Sequence, residues 1–311
     1  MKISVIDPIS RSIDWVKHVL FEDFNLTKWF TIGFCAFLAL LGENGGGGGA
    51  NNISRGFKNS QDFSQLKNFI LEHIIIISVG IAIFTLIIIG ITILLKWLGC
   101  RGKFMFLDNV ARNRAEVKAP WREFKTRANS LLLFEILLTL AFFAVFLIIV
   151  FIGLLMAWSD ISAKTFGPNA LIGIITALLL FIFIVIGFSV IRVLMKDFWV
   201  PIMYIRNVNI LAAINIFNKE FSKGHFFDIF KYFLMKILLT FGIFIITVLC
   251  CCITCCIIAI PYIGTVILLP LIMFSRCYSL FFIEQFGDEW QIFEEQSEEV
   301  IIPEEETQNL V

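Results

Sequence analysis

Charge is scarce in this chain, and so are the residues that most often catalyse. Asp, Glu, Lys and Arg make up 16% of the 311 residues, and histidine occurs three times. Soluble domains carry roughly a quarter of their residues as charges, so this shortfall excludes an ordinary water-soluble globule. Long hydrophilic stretches are missing too. The largest, near residues 96–130, is below the size at which a domain usually folds alone. Gly-x-Ser-x-Gly, His-Glu-x-x-His and Gly-x-Gly-Asp do not occur, which removes the motif-bearing hydrolases and zinc proteases. The run Gly45 to Gly49 lacks the Gly-Lys-Ser/Thr that grips phosphate and is expected to be a flexible linker. No catalytic residue, metal or cofactor is expected.

The eight cysteines form no secreted disulfide framework, because all but Cys100 lie inside apolar stretches. In Cys250-Cys251-Cys252-Ile253-Thr254-Cys255-Cys256, thiols four residues apart share a helix face, as soft-metal ligands do. No histidine or charged supporting shell accompanies them, and small apolar packing residues are the expectation. The first 28 residues carry Asp7, Arg11, Asp14, Lys17, Glu22, Asp23 and Lys28 with no apolar core, unlike a cleaved signal.

What the chain has in abundance is apolar surface: 59% hydrophobic residues and a mean hydropathy of +0.88. About 20 apolar residues span a bilayer as a helix, and backbone groups in hydrocarbon must pair within the helix. Six stretches are read as spans: Trp29 to Gly42, Ile74 to Leu95, Leu131 to Trp158, Ala170 to Ile191, Phe233 to Ile260 and Tyr262 to Ile283. The first is the shortest. The expected fold is all-α, a polytopic bundle of about six transmembrane helices with interfacial amphipathic helices on the cytoplasmic side. Residues 1–28 form a cytoplasmic amphipathic segment, 29–283 the membrane domain, and 284–311 an acidic tail expected to be disordered.

Basic residues concentrate in alternate gaps. Nine lie between Lys96 and Arg127, six between Arg192 and Lys231, and only Lys164 in the gap between those two. By the positive-inside rule both termini and both basic loops face the cytoplasm of a multi-pass cell-membrane protein. The two loops also resemble each other, with Asn109-Val110 echoed by Asn207-Val208 and Ile136-Leu137-Leu138-Thr139 by Ile237-Leu238-Leu239-Thr240. Three units of one interfacial helix plus two spans are inferred. In the first, Ile13, Val16 and Leu20 share an apolar face that suits a membrane surface.

Ionisable residues inside spans are expensive and therefore informative. Glu135, Arg192, Lys236, Arg276 and Glu284 are candidates for a polar network around an anionic solute or headgroup. Glu135 and Lys236 each precede the repeated Ile-Leu-Leu-Thr and are the expected pair. Snorkelling of Arg192 and Lys236 to the interface is the alternative. Arg112, Arg114, Arg122 and Arg127 are candidates for lipid headgroup or partner contact. Pro261 and Pro270 are expected to bracket an outer hairpin and break the last span. Gly153, Gly167, Gly173, Gly187, Gly242 and Gly264 read as helix-packing positions.

At Phe104 to Glu135, FMFLDNVARNRAEVKAPWREFKTRANSLLLFE, and at Phe274 to Trp290, FSRCYSLFFIEQFGDEW, the chain resembles a family of uncharacterised six-span bacterial and archaeal membrane proteins. The early segment FNLTKWFTIGFCAFLALLGE fits the same family. More distantly the chain is similar to the membrane domain of some glycerophosphodiester phosphodiesterases, without their soluble barrel. The resemblance implies that Arg112, Asn113, Arg114, Trp121, Phe124, Arg276, Tyr278 and Glu284 matter, and assigns them no activity. The expected function is a non-enzymatic membrane scaffold that organises lipids, or protein partners through its basic loops, with no nucleic acid. The alternative is a transporter of a lipid or small anion.

Overall fold

Four helices carry most of the apolar sequence: α3 (Ile74–Ala111), α5 (Lys125–Ser162), α6 (Pro168–Leu194) and α9 (Phe226–Ile253). They belong to a computed structural model that describes residues 3–22, 24–41, 43, 74–163, 167–253 and 260–293. Each has an uncharged outer part whose large side chains are exposed, and α3 also has an inner part that is buried. In α3, Ile75, Phe84 and Leu86 are exposed, whereas Phe104, Met105, Leu107 and Val110 have no exposed surface. Along their outer parts α5 and α6 pack closely, and Gly173 approaches the backbone of Gly153.

The inner ends of the long helices enter a helical body. To it belong α1 (Asp7–Lys17), α2 (Leu26–Leu41), α4 (Lys118–Glu123), α7 (Val200–Arg206), α8 (Ile210–Ile216), α10 (Pro261–Ile267) and α11 (Leu269–Glu284). Helix α6 reaches α7 through a π-helical turn at Met195–Trp199. Pro201 explains the wider turn, because it has no N–H to return to the carbonyl of Asp197. The body's centre is aromatic: Tyr232 stacks on Tyr278 at 5.4 Å, and Phe198 packs against Tyr232 and Phe282. Both ends of the described chain lie in the body, where the Gln285 side chain accepts from the Ser4 N–H at 2.7 Å and donates to its carbonyl at 2.9 Å.

Several expectations change. Among the described residues four helices are long and apolar enough to cross a membrane, or five if the bent pair α10–α11 counts as one span, against the six read from sequence. Helix α2 has 16 residues, about 24 Å at 1.5 Å per residue against a hydrocarbon core of roughly 30 Å. It lies along the inner part of α3, and a Cβ on Gly102 would meet the backbone of Ala39 at 2.4 Å. The Pro261 segment is no outer hairpin: α10 packs on α2, with the Trp29 indole donating to the Val266 carbonyl at 2.9 Å. The chain then bends by 66° before α11, whose first turn holds Pro270. Helix α1 buries Val16 against α11, and Ile13 stays exposed. Gly187 and Gly242 meet no neighbour, whereas Gly153 and Gly173 pack against each other and a Cβ on Gly167 would meet the Asp160 carboxylate at 2.7 Å; Gly264 is buried. The Gly45 to Gly49 linker, Lys164, Cys255, Cys256 and the acidic tail beyond Phe293 lie outside the described residues.

Two helix ends expose the internal repeat. Asn113 and Asn207 both adopt left-handed backbone, at φ 48° and 55°, a conformation asparagine tolerates better than most side chains. Arg112 precedes one and Arg206 the other. The structural register therefore matches Asn113, not Asn109, with Asn207.

Replacing Gly102 by Ala should push α2 off α3 and cost about 1–3 kcal/mol, seen as a lower thermal midpoint of the detergent-solubilised protein. Gly90→Ala, at a position with open space, should leave that midpoint within error.

Candidate functional site: a cationic cavity at the base of the apolar helices

Beyond a common level the four long helices carry no charge until Asp160, and at that level their ionisable residues gather. Lys96 and Lys103 come from α3, Glu135 from α5, Lys196 and Asp197 from the π-helical turn, Lys236 from α9 and Arg276 from α11. Pairing satisfies most of them. Lys103 lies 2.6 Å from Glu135 with both side chains 6% exposed, and Lys96 approaches the same carboxylate at 4.0 Å. Lys236 lies 3.4 Å from Asp197 and donates to the Ser275 carbonyl at 2.9 Å, while the Tyr232 hydroxyl donates to Asp197 at 2.9 Å.

Glu135 and Lys236 are thus not partners of each other. Each pairs within its own repeat, Glu135 with Lys103 of α3 and Lys236 with Asp197 of the π-helical turn that ends α6. Lys103 stands as far before Asn113 as Asp197 before Asn207, and the echoing Ile-Leu-Leu-Thr follows Glu135 and Lys236 alike. The two units hold the same pair with its signs exchanged. Thr139 and Thr240 match as well, each hydroxyl donating to the carbonyl of Glu135 or Lys236 one turn back.

Between these pairs lies a cavity of about 190 Å³. Its walls are mainly apolar, including Ala36, Phe106, Val200, Ile243 and Ile272, and its charged lining is Glu43, Lys103, Lys196 and Arg276. Glu43, just beyond α2, accepts from Lys196 at 3.0 Å. Arg276 is 5% exposed, donates through Nη1 to the Lys196 carbonyl, and keeps its Nε without a partner among the described residues. A buried N–H left unpaired costs free energy. In this lining three cations, Lys103, Lys196 and Arg276, stand against one carboxylate, Glu43, while Lys96, Lys236, Glu135 and Asp197 belong to the adjoining pairs. The arrangement is suited to an anion attached to an apolar body.

Of the five residues expected to form a network, Glu135, Lys236 and Arg276 belong to this layer. Arg192 is exposed on α6. Glu284 lies elsewhere: it pairs with Arg11 at 2.9 Å and accepts from the N–H groups of Ile292 and Phe293. Much of the stretch read as a basic loop is core instead, since Arg101 and Lys103 are buried and Asp108 and Asn109 fully so. Asp108 accepts from Arg114 at 2.6 Å and from the Tyr204 hydroxyl at 3.0 Å, and Arg112 approaches it at 3.5 Å. Arg127 lies over the Phe124 ring, and Arg122 is exposed. Glu43, Lys103, Lys196 and Asp197 were missed as site residues. The repeat carried the signal for two of them, because Lys103 and Asp197 hold equivalent positions.

Glu135→Lys should destabilise the fold by roughly 3–5 kcal/mol, as removing one partner of a buried pair does. Adding Lys103→Glu should restore most of the loss. Adding Lys236→Glu should not, since each new charge would face a like one. Thermal midpoints of the three variants in detergent check this.

No curated protein and no solved structure matches the chain. One family model does, over residues 3–287, which take in every helix of the body and all four long helices. The chain therefore belongs to the family of unknown function DUF7544.

Proposed function

We propose that the protein is a non-enzymatic membrane protein that holds the acidic headgroup of a lipid in the cavity at the base of its apolar helices. One observation carries this: a mainly apolar cavity with surplus positive charge lies where uncharged helix segments meet the charged body. Headgroups occupy that depth in a bilayer, and a lipid offers both an anion for Arg276 and an apolar body for the walls. Chains would leave along the outer face of α9, where Phe241 and Phe244 are exposed. The Lys and Arg content of the body supports a cytoplasmic position for it, and for residues 3 and 293, by the positive-inside rule. Exposed Arg112 and Arg122 extend basic surface from it toward anionic headgroups or a protein partner.

Transport of a lipid or small anion is the second reading, and it uses the same cavity. The uncharged outer helix segments favour holding over conduction, because an ion crossing them would meet no compensating charge.

Protein released gently from its own membrane should carry a stoichiometric acidic lipid in native mass spectrometry, depleted in Lys196→Gln and Arg276→Gln. Co-purification of zwitterionic lipid alone would reject the headgroup reading.

A further inference from the structure

The cavity already holds an anion of its own. Glu43 places a carboxylate 3.0 Å from Lys196 in a space that Lys103 and Arg276 also line. Its attachment differs from that of the other two carboxylates. Glu135 and Asp197 are closed off, at 6% and 2% side-chain exposure, whereas Glu43 is 26% exposed and its partner Lys196 40%. A pair that open contributes little to stability, so the Glu43 side chain can turn away without unfolding anything around it. Glu135 and Asp197 cannot, since each neutralises a lysine buried beside it.

We propose that Glu43 is an internal competitor for the anion site, and that the headgroup displacing it is a phosphomonoester. The inference rests on the lipid-holding reading above and adds the ligand class and its control. Charge decides the class. Three cations, Lys103, Lys196 and Arg276, and one carboxylate, Glu43, line the cavity. Exchanging the Glu43 carboxylate for a phosphodiester, which carries one negative charge, leaves the imbalance unchanged. A phosphomonoester carries nearly two at neutral pH and reduces it. It also offers three acceptor oxygens, enough for the Lys196 and Lys103 ammonium groups and for the Arg276 guanidinium that line the cavity. The same chemistry is available from a lipid such as phosphatidate or from free phosphate, and the apolar walls favour the lipid.

The test is a native mass spectrometry titration of the full chain in detergent with dioleoyl phosphatidate, dioleoyl phosphatidylglycerol, dioleoyl phosphatidylcholine and inorganic phosphate. Wild type should bind phosphatidate more tightly than phosphatidylglycerol and show no specific phosphatidylcholine. Glu43→Gln, which removes the competing charge and keeps the shape, should bind phosphatidate on the order of tenfold more tightly. Lys196→Gln should weaken it. If inorganic phosphate displaces phosphatidate from Glu43→Gln, the site takes the free anion; if it does not, the occupant is the lipid, and either result supports the shared chemistry. Phosphatidate binding that Glu43→Gln leaves unchanged or weakens would overturn the competitor while sparing the cavity. Equal binding of phosphatidate and phosphatidylglycerol by wild type would overturn the headgroup class. No anionic ligand on any of the chains would remove the lipid-holding reading and this inference with it.

Discussion

A lysine buried against a glutamate where apolar helices meet a packed body is the constraint on which this architecture turns. Lys103 and Glu135 lie 2.6 Å apart, nearly shut off from solvent. Neither charge is tolerable there without the other, since desolvating an unpaired ion costs several kcal/mol. The pair therefore sets the height of α5 against α3. Asp197 and Lys236 do the same for the π-helical turn and α9. Above these pairs the helices have little contact apart from α5 with α6, so their mutual placement is settled at the base.

The exchanged signs explain how one plan can be used twice in a chain without confusion between its copies. Glu135 meets Lys103 in its own unit; facing Asp197 it would meet a like charge. The same holds for Lys236 between Asp197 and Lys103. Opposite polarity at equivalent positions thus distinguishes two otherwise similar helix pairs, in the way that charge patterns distinguish coiled-coil partners. The cost of gathering these charges is a layer with more cations than carboxylates, and the cavity lies inside that layer.

Much of the fold was legible in the sequence, and the parts that were not share a cause. Long uncharged runs announced α3, α5, α6 and α9, because a helix that is apolar all round needs no periodicity to be recognised. Hydropathy could not show where each helix stops facing outward and enters the body. Residues 97–111 continue α3, yet Arg101, Lys103, Asp108 and Asn109 give them the composition of a loop. Their polarity is consumed internally, as when Asn109 bridges the turn to Glu116 through both its carboxamide oxygen and nitrogen. Helix α2 misled in the other direction: it is apolar because it packs on Gly102 and Val266, not because it must be a full span. At the site, Glu135, Lys236 and Arg276 were visible as charges in apolar sequence. Their partners Lys103 and Asp197 were hidden among the basic loops, and Glu43 beside the glycine run.

The reading turns on the cationic cavity lying at the membrane interface and accommodating an acidic headgroup. A cryo-electron microscopy reconstruction in nanodiscs containing acidic lipid tests it most directly. The predicted result is a bilayer boundary level with Lys96, Lys196 and Lys236, and headgroup density within reach of Lys196 and Arg276. A boundary elsewhere along the helices, or a cavity closed by apolar side chains with Arg276 turned away, would contradict it.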